Sequence, residues 1–483
     1  MQNINQTSVR LAIIALTYLV LAAPALTPVL DADIWLHLKT GQWILQHRAV
    51  PAEDPFSTFG AGRTWIAYSW LFEVFVYVIY TIFGLSGLLV FDVAMSLCIA
   101  LAVHSLIRRF APPLAAETVL LAFVFVTLIP LVLTPRPWLF SMLFFSTELV
   151  IIAHARRSGR FHALWLLPPM FALWANLHIQ FVYGLAAVAL LMVEIFWKAL
   201  TGSRSDRDSI APVALIGLAC LLAVSLNPYH MKVLWPVLDY AQHTTAFQAV
   251  SELQPMSFRS VPERAVLALT LAAVYALGSQ RRWSPFQIML LLLGVFLGFR
   301  AKRDIWVLAL ACAMVLSERL GPAITADNFT FKKWHLLIVG PLVAASLYLL
   351  AQHRQISERS LQNAVAKNFP VAAVRFIKAN AYPGPLFNHF NWGGFLIWSL
   401  PELPVSMDGR TNLHGDQRLA RSIATWSGRA GWDFDPELQA SRLVITSNQW
   451  ALTSLLRLDR RFRLVYEDSI ASIFVRRAPM QQD

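Results

Sequence analysis

Residues 31–84 read DADIWLHLKTGQWILQHRAVPAEDPFSTFGAGRTWIAYSWLFEVFVYVIYTIFG, the first long polar stretch after an apolar run at 11–30. This segment decides the fold, because whether its second half crosses a membrane sets the side of every later loop. Two carboxylates, Asp31 and Asp33, stand where the first run ends. Asp33 and His37 are four apart, so a helix places both on one face. Ile34, Leu38 and Leu45 fall on a different face, which fits a helix lying at a membrane surface. Glu53, Asp54 and Pro55 follow in a turn-like segment, and the apolar stretch beyond them carries one acid, Glu73. Acids at a membrane edge are functional candidates by default. An ordinary interfacial loop with its acids in water is the alternative.

Of the 483 residues, 57% are hydrophobic and 14% charged, against about 25% charged in a soluble domain. Apolar runs fall near 11–30, 66–83, 86–107, 114–134, 138–154, 162–175, 180–197, 209–226, 264–279, 284–299, 304–318 and 334–351. Runs of about 20 residues broken by short basic clusters are the pattern of a helical membrane protein. The net charge of +12 argues little for nucleic acid, because the basic residues gather in short loops between apolar runs, where the positive-inside rule puts them. Cys98, Cys220 and Cys312 all lie inside apolar runs, which favours buried free thiols over disulfides or a metal cluster. Arg10, the first apolar run and Ala23-Pro24-Ala25 have the layout of a cleavable signal. The run continues to Leu30 and further spans follow, so an uncleaved anchor is the simpler reading.

Loop charge sets the topology. If 66–83 lies on the surface or re-enters on the same side, Arg10, Arg108-Arg109, Arg156-Arg157-Arg160, Lys198 with Arg204 and Arg207, Arg281-Arg282 and Lys332-Lys333 are all cytoplasmic. If 66–83 spans, every cluster after Arg10 moves outside, against the rule. Ser69, Glu73, Tyr77 and Tyr80 also form one polar stripe at helical spacing. About eleven spans follow from this choice, with residues 1–352 as the membrane module, 31–84 as its first outer loop, and a tail, 353–483, also outside. The tail reads as a small α/β domain: helices at Val371–Ala379 and Gln449–Leu458, strands near Gly384–Phe387, Pro404–Met407 and Arg442–Ser447, and a terminal hairpin of Phe462–Glu467 and Ile470–Arg476.

Three groups of polar residues converge on the outer face. They are Asp31, Asp33 and His37 with Glu73; the tight turn at Asn176 and His178; and Arg300 with Arg303. The last pair breaks the charge rule, and an anionic partner would explain it, since arginine offers a planar fork to phosphate oxygens; a tolerated exception is the other reading. A carboxylate can serve as general base for a hydroxyl. Asp-x-Asp also offers the hard oxygens that a divalent metal prefers. His178 has an ordinary explanation as a packed polar group at a helix end. No nucleotide phosphate loop, Gly-x-Ser-x-Gly or zinc-helix signature is present, which argues against a cytosolic nucleotide as direct donor.

Nearly the full length resembles the bacterial integral-membrane glycosyltransferases of the C-type fold (GT-C), the class that uses polyprenyl-phosphate-linked sugars. The resemblance rests on the acid pair after the first span, Asp33-Ile34-Trp35-Leu36-His37-Leu38-Lys39-Thr40-Gly41, Asp54-Pro55-Phe56-Ser57, and Trp65 with Trp70-Leu71-Phe72-Glu73. It continues in Trp174-Ala175-Asn176-Leu177-His178 and Asn227-Pro228-Tyr229. In the tail, Phe387-Asn388, Trp392-Gly393-Gly394 and Met407-Asp408-Gly409-Arg410 resemble an extracytoplasmic domain found with such proteins. The resemblance implies that the first outer loop carries the catalytic acid. Asp33 matches that acid, with Asp31 as alternative.

The expected protein is thus a polytopic enzyme of a bacterial cytoplasmic (inner) membrane, with a cytoplasmic N-terminus. It would move a sugar from a polyprenyl-phosphate donor to a lipid or glycan acceptor, with inversion. Asp33, Asp31 and Glu73 are the catalytic candidates, and His37, Asn176, His178, Arg300 and Arg303 the substrate contacts. Membrane lipids are expected partners and nucleic acid is not; no cofactor is assigned, and a divalent metal stays open. The rival is a non-enzymatic transporter or assembly factor for envelope glycans. Pro168-Pro169, inside an apolar run, favours that rival, because transporters use broken helices.

Overall fold

The computed structural model describes residues 2–110, 112–201, 208–240, 244–279, 284–323 and 333–477. Arg204, Arg207, Arg281, Arg282 and Lys332 of the loop-charge argument lie outside these residues. The chain folds into two compact units. One comprises Met1–Thr27, Leu89–Val233 and Val250–Ile356; the other comprises Pro28–Leu88, Leu234–Ala249 and Ser357–Asp483. The second unit groups the first polar loop with the tail, two segments that the sequence treats as separate modules.

Seven helices among the described residues are long and apolar enough to cross a membrane: Thr7–Ala25, Trp70–Arg108, Leu114–Leu131, Trp138–Ser158, Phe181–Thr201, Val261–Gly278 and Leu336–His353. Ile210–Val224 and Pro285–Arg300 are apolar but shorter. At 1.5 Å per residue each covers about 22–24 Å, less than the roughly 30 Å of hydrocarbon in a bilayer. The apolar run at 162–175 resolves into a 3-10 stretch, Phe161–Leu166, and a helix, Leu167–Leu177, with Pro168 and Pro169 in its first turn. Proline there lacks only an N–H that would have no partner anyway. The prolines therefore open a helix and do not interrupt one.

The first unit is built around the helix Ile305–Ala323, in which every residue from Trp306 to Val315 is sealed from solvent. Such all-round burial marks a helix with neighbours on every side, and Leu114–Leu128, Val261–Gly278 and Pro285–Arg300 supply them. Gly294 and Gly298 let the last of these approach closely: a Cβ on Gly294 would stand 2.9 Å from Leu308 Cα, and one on Gly298 3.0 Å from Leu308 Cβ. This is the small-xxx-small packing of membrane helices. The three cysteines are free thiols; Cys220 and Cys312 are buried as expected, but Cys98 is exposed.

In the second unit the helix Trp70–Arg108 contributes its first half. Gly84 (φ 63°, ψ −152°) breaks that helix, a conformation that favours glycine. The Glu358 carboxylate closes the break, accepting from Leu85 N (3.2 Å), Ser86 N (2.9 Å) and Ser86 Oγ (2.8 Å). Burial works to raise the Glu358 pKa, but these donors win and hold it below the usual carboxylate range. An anion at a helix start also meets the positive end of the dipole. The stripe Ser69, Glu73, Tyr77 and Tyr80 is turned toward protein: Ser69 and Glu73 are buried, and both tyrosine rings contact Trp398.

The tail carries a four-stranded sheet of β1 (Leu386–Asn388), β2 (Leu443–Ser447), β3 (Phe462–Glu467) and β4 (Ala471–Arg476) in the order β1-β2-β4-β3. β1 runs parallel to β2, and the other pairs are antiparallel. Phe387, Val444 and Phe474 are paired in register across three strands and share a core with Trp426, Leu438, Leu452 and Leu456. Residues 404–407, read from sequence as a strand, form none. Val405 instead spends its backbone groups on the first loop, donating to Phe56 O (3.3 Å) and accepting from Thr58 N (2.9 Å).

Candidate functional site

The acid pair stands at the start of the helix Ile34–His47. Asp31 Oδ1 accepts the Asp33 N–H at 2.8 Å, so Asp31 folds back on the backbone as an Asx turn. Asp33 occupies the N-cap position, but its side chain makes no capping hydrogen bond. One turn on, His37 Nδ1 lies 3.3 Å from Glu73 Oε1, and both side chains are largely buried. Glu73 Oε2 is buried with no hydrogen-bond partner. The helix sits close because Gly41 rests on the Glu73 backbone, where a Cβ would come within 2.1 Å of Glu73 O. Trp35, on another face, packs against Tyr80, Phe369, Phe395 and Trp398. Ile34 and Leu38 are buried with it, while Leu45 is exposed. The structure thus pairs His37 with Glu73 and ties Asp31 to the Asp33 backbone.

The next part of the loop folds on itself through Asp54 N to Arg63 O (3.0 Å) and Trp65 N to Ala52 O (2.9 Å). Asp54 is buried; it accepts from Phe56 N (3.0 Å) and from the Ser57 hydroxyl. Its Oδ1 also lies 2.8 Å from Arg410 Nη2. Arg410 binds Asp408 in addition, through Nε (2.8 Å) and Nη2 (2.6 Å), and lies over the rings of Trp65 and Phe56. The Asp408 N–H donates to His414 Nε2 (3.2 Å). Burial alone would raise the Asp408 pKa, but the Arg410 charge overrules it and holds the carboxyl well below its usual range. Burial would lower Arg410, and Asp408 with Asp54 push it up instead. The pairing at Asp408-Gly409-Arg410 is a structural ion pair, as such a turn suggests, and it reaches across to the first loop.

The remaining predicted residues lie in the first unit. Asn176 Nδ2 donates to Ala172 O (2.7 Å) and Leu226 O (2.8 Å). His178 is buried with Nδ1 2.8 Å from Ser141 Oγ, which also accepts from Trp174 Nε1 at 2.8 Å. Two residues later, Gln180 Nε2 donates to Asp304 Oδ1 (2.8 Å). That bond joins the Asn176–His178 turn to the segment holding Arg300 and Arg303. Arg300 is exposed and lies over the Phe296 ring. Arg303 donates its N–H to Glu252 O (2.8 Å), with Nη1 3.9 Å from Glu252 Oε1. Lys302 reaches Glu263 at 3.8 Å and donates its N–H to Gln254 O (3.0 Å). Three acids, Glu252, Glu263 and Asp304, therefore offset part of the charge of this basic cluster. Sequence reading missed Gln180 and Glu263 as partners of this cluster; the adjacency of Asp304 to Arg303 was the available signal.

Among the described residues, no group of three or more His, Cys, Asp or Glu side chains is placed to hold a metal ion. Asp31 Oδ1 is occupied by backbone, and Asp54 and Asp408 by Arg410.

No protein-family model and no curated protein matches this sequence. Solved structures do match. One is the oligosaccharyltransferase AglB from Archaeoglobus fulgidus in complex with an inhibitory peptide and a dolichol-phosphate, at 12% identity and TM-score 0.57, covering 90% of this chain and 69% of that one. The Archaeoglobus fulgidus oligosaccharyltransferase in its apo form matches at 12% identity and TM-score 0.54, with the same coverage. ArnT from Cupriavidus metallidurans bound to undecaprenyl phosphate aligns over 98% of each chain at 12% identity and TM-score 0.46. At this identity the likeness to AglB is one of fold: the chain shares the fold of the C-type glycosyltransferases.

Proposed function

We propose that this chain is an integral-membrane glycosyltransferase that moves a sugar from a polyprenyl-phosphate-linked donor to an acceptor outside the cytoplasm. The observation that carries the reading is the fold shared with AglB. The loop between the first two apolar helices holds the acid pair, and Asp31 is committed to the backbone of Asp33. In this reading Asp33 accepts the proton of an acceptor hydroxyl as that oxygen attacks the anomeric carbon. The bond from the anomeric carbon to the donor phosphate breaks, and the phosphate leaves with the electron pair. One displacement inverts the configuration. Arg300 and Arg303 hold the donor phosphate and stabilise the charge that grows on it, the role in which fixed charge matters most. Loop charge supports a cytoplasmic N-terminus.

The test is mass spectrometry of envelope glycans and polyprenyl-phosphate sugars from cells with and without the protein. Loss of one glycan with accumulation of one donor is expected. An unchanged glycan profile and donor pool would overturn the reading.

One observation favours the rival, a transporter or assembly factor. Glu148, within the candidate span Trp138–Ser158, is fully buried with neither carboxylate oxygen hydrogen-bonded. Ionisable groups inside spans often mark transport paths. Surface labelling of the accumulated donor separates the two readings, because a transporter defect leaves that donor on the inner face.

A further inference from the structure

Two glycines of the tail, Gly409 and Gly394, bring its backbone against the acid segment, and a third, Gly393, rests on the turn that holds Gly409. A Cβ on Gly409 would stand 2.3 Å from Asp33 Oδ1, 3.1 Å from its Cγ and 3.4 Å from Oδ2. The Asp33 carboxylate therefore lies directly on the Gly409 Cα, where no side chain fits. A Cβ on Gly394 would stand 2.6 Å from Ala32 O and 3.3 Å from Leu36 N. One on Gly393 would meet Met407 O at 2.3 Å and Asp408 Cα at 2.5 Å. None of the three has a positive φ, so the requirement is for space and not for conformational freedom.

The bed so formed is fixed from below. Arg410 pins the turn through Asp408 and Asp54, and its N–H donates to Asp408 Oδ1 at 2.9 Å. Asn388 Nδ2 donates to Met407 O at 2.8 Å, and Arg418 Nη2 donates to Ser406 O. These buried, charge-assisted bonds fix the turn, with Arg410 Nη1 left without a hydrogen-bond partner. A carboxylate needs its oxygens aimed at the proton it will take, within hydrogen-bond reach. A rigid surface laid against the carboxylate supplies such aim.

We propose that the Asp408-Gly409-Arg410 turn of the tail is a positioning element for Asp33, with Gly409 as the residue that sets the carboxylate's orientation. The inference rests on the reading of Asp33 as the base. It gives the tail a direct part in the site: Gly409 contributes by the absence of a side chain, and Gly393 and Gly394 bring the turn and the acid segment together.

The test uses the full-length protein in nanodiscs. Carboxyl groups are modified with a water-soluble carbodiimide and an amine across a range of pH, and modification at Asp33 and Asp31 is read by fragment mass spectrometry. In Gly409→Ala the pH profile of Asp33 modification is expected to move by at least about half a unit, roughly threefold in rate on its acid side, while Asp31 keeps its profile. Where transfer is assayed, kcat should fall with KM little changed. Leu452→Ala, which opens a cavity in the tail core, is the control for general loosening and should leave the Asp33 profile in place. If Gly409→Ala does not accumulate, Arg410→Lys frees the turn without adding atoms and is read in the same way. An unmoved Asp33 profile in the variant that folds, or an equal shift in Leu452→Ala, overturns the inference. Failure of the base reading appears elsewhere, as full transfer activity in Asp33→Asn, so the two failures are distinct.

Discussion

Arg410 and Asp54 form a buried ion pair, with 2.8 Å between Nη2 and Oδ1 and side-chain exposures of 7% and 0%. One partner comes from the first polar loop and the other from the tail, and a second acid, Asp408, shares the same guanidinium. Removing the cation leaves two buried carboxylates without compensation, a loss that typically costs about 3–5 kcal/mol. Arg410→Met should therefore unfold or release the tail, seen as a lower melting temperature by tryptophan fluorescence and faster proteolysis within 357–477. Asp54→Asn should cost less, because Asp408 still neutralises Arg410. Equal losses in the two variants would contradict the shared-cation arrangement.

His389 gives the tail a pH dependence of definite sign. The ring is buried, stacked on Trp450, and its Nδ1 accepts the Asn391 N–H at 3.2 Å. Burial pushes its pKa down from 6.5 to about 3. Above the ordinary value both folded and unfolded chains hold a neutral ring, and His389 adds no pH dependence. Between that value and about 3 the unfolded chain takes up a proton that the folded one refuses. Stability should therefore fall as pH drops through this window, by roughly 1.4 kcal/mol per pH unit from this residue. His389→Asn keeps an acceptor at the cap and removes the titration, so its melting temperature should depend less on pH than that of the parent. Parallel curves would exclude His389 as the source.

Glu148 offers a stability test inside the membrane unit. Its carboxylate oxygens lack partners, and a Cβ on Gly184 would stand 2.6 Å from Glu148 Oε2 and 2.6 Å from Trp174 Cζ3. An unsatisfied buried polar group costs about 1–3 kcal/mol by mutational measures. Glu148→Met, similar in volume, should raise the melting temperature in detergent. Gly184→Ala should lower it through overpacking, by about 1–3 kcal/mol. A destabilised Glu148→Met would mean that the carboxyl has a partner that matters.

Local pattern carried much of the fold, and long-range pairing carried the rest. The apolar runs, the terminal hairpin of β3 and β4, and the helix at 371–380 were legible because periodicity and turn residues are encoded within a few positions. The acid pair with His37 was legible for the same reason. The seat of Asp33 was not, because Gly409 and Gly394 act through missing side chains, and nothing in their own neighbourhood names the partner. Residues 404–407 look like a strand by composition, yet Val405 bonds to Phe56 and Thr58, and Ser406 and Met407 bond to the Asn388 side chain. The runs at 209–226 and 284–299 were legible too, and they form the helices Ile210–Val224 and Pro285–Arg300.

The two acids of the pair should differ in consequence. Asp31 uses Oδ1 to accept from the Asp33 backbone, and Asp31→Asn keeps that acceptor, so geometry should survive with a modest loss of transfer. Asp33→Asn should lose about 10²–10⁴-fold in rate, the usual worth of a general base, with the protein folded and inserted. Comparable losses in both would make the pair act as one unit. Unimpaired transfer in Asp31→Asn, Asp33→Asn and Glu73→Gln alike would end the acid–base proposal.

Arg303 and Glu252 make the last prediction a matter of opposite signs. Their side chains are 3.9 Å apart and both partly exposed, 23% and 32%, a geometry in which an ion pair is worth at most about 1 kcal/mol. A lipid-borne phosphate offers Arg303 short, charge-assisted hydrogen bonds of roughly 1.5–3 kcal/mol each. Phosphate should therefore displace Glu252 from the guanidinium. Arg303→Gln should weaken binding of a polyprenyl phosphate by about 10- to 100-fold, and Arg303→Lys should recover only part, since the fork is lost. Glu252→Gln should act the other way, tightening binding by up to about fivefold, because the competing carboxylate is removed. Native mass spectrometry or calorimetry in nanodiscs, with undecaprenyl phosphate as the probe, reads all three. Tighter binding in Glu252→Gln with weaker binding in Arg303→Gln identifies Arg303 as the phosphate contact. Unchanged affinity when both Arg300 and Arg303 are replaced by Gln would reduce the cluster to a basic patch balanced by its own acids.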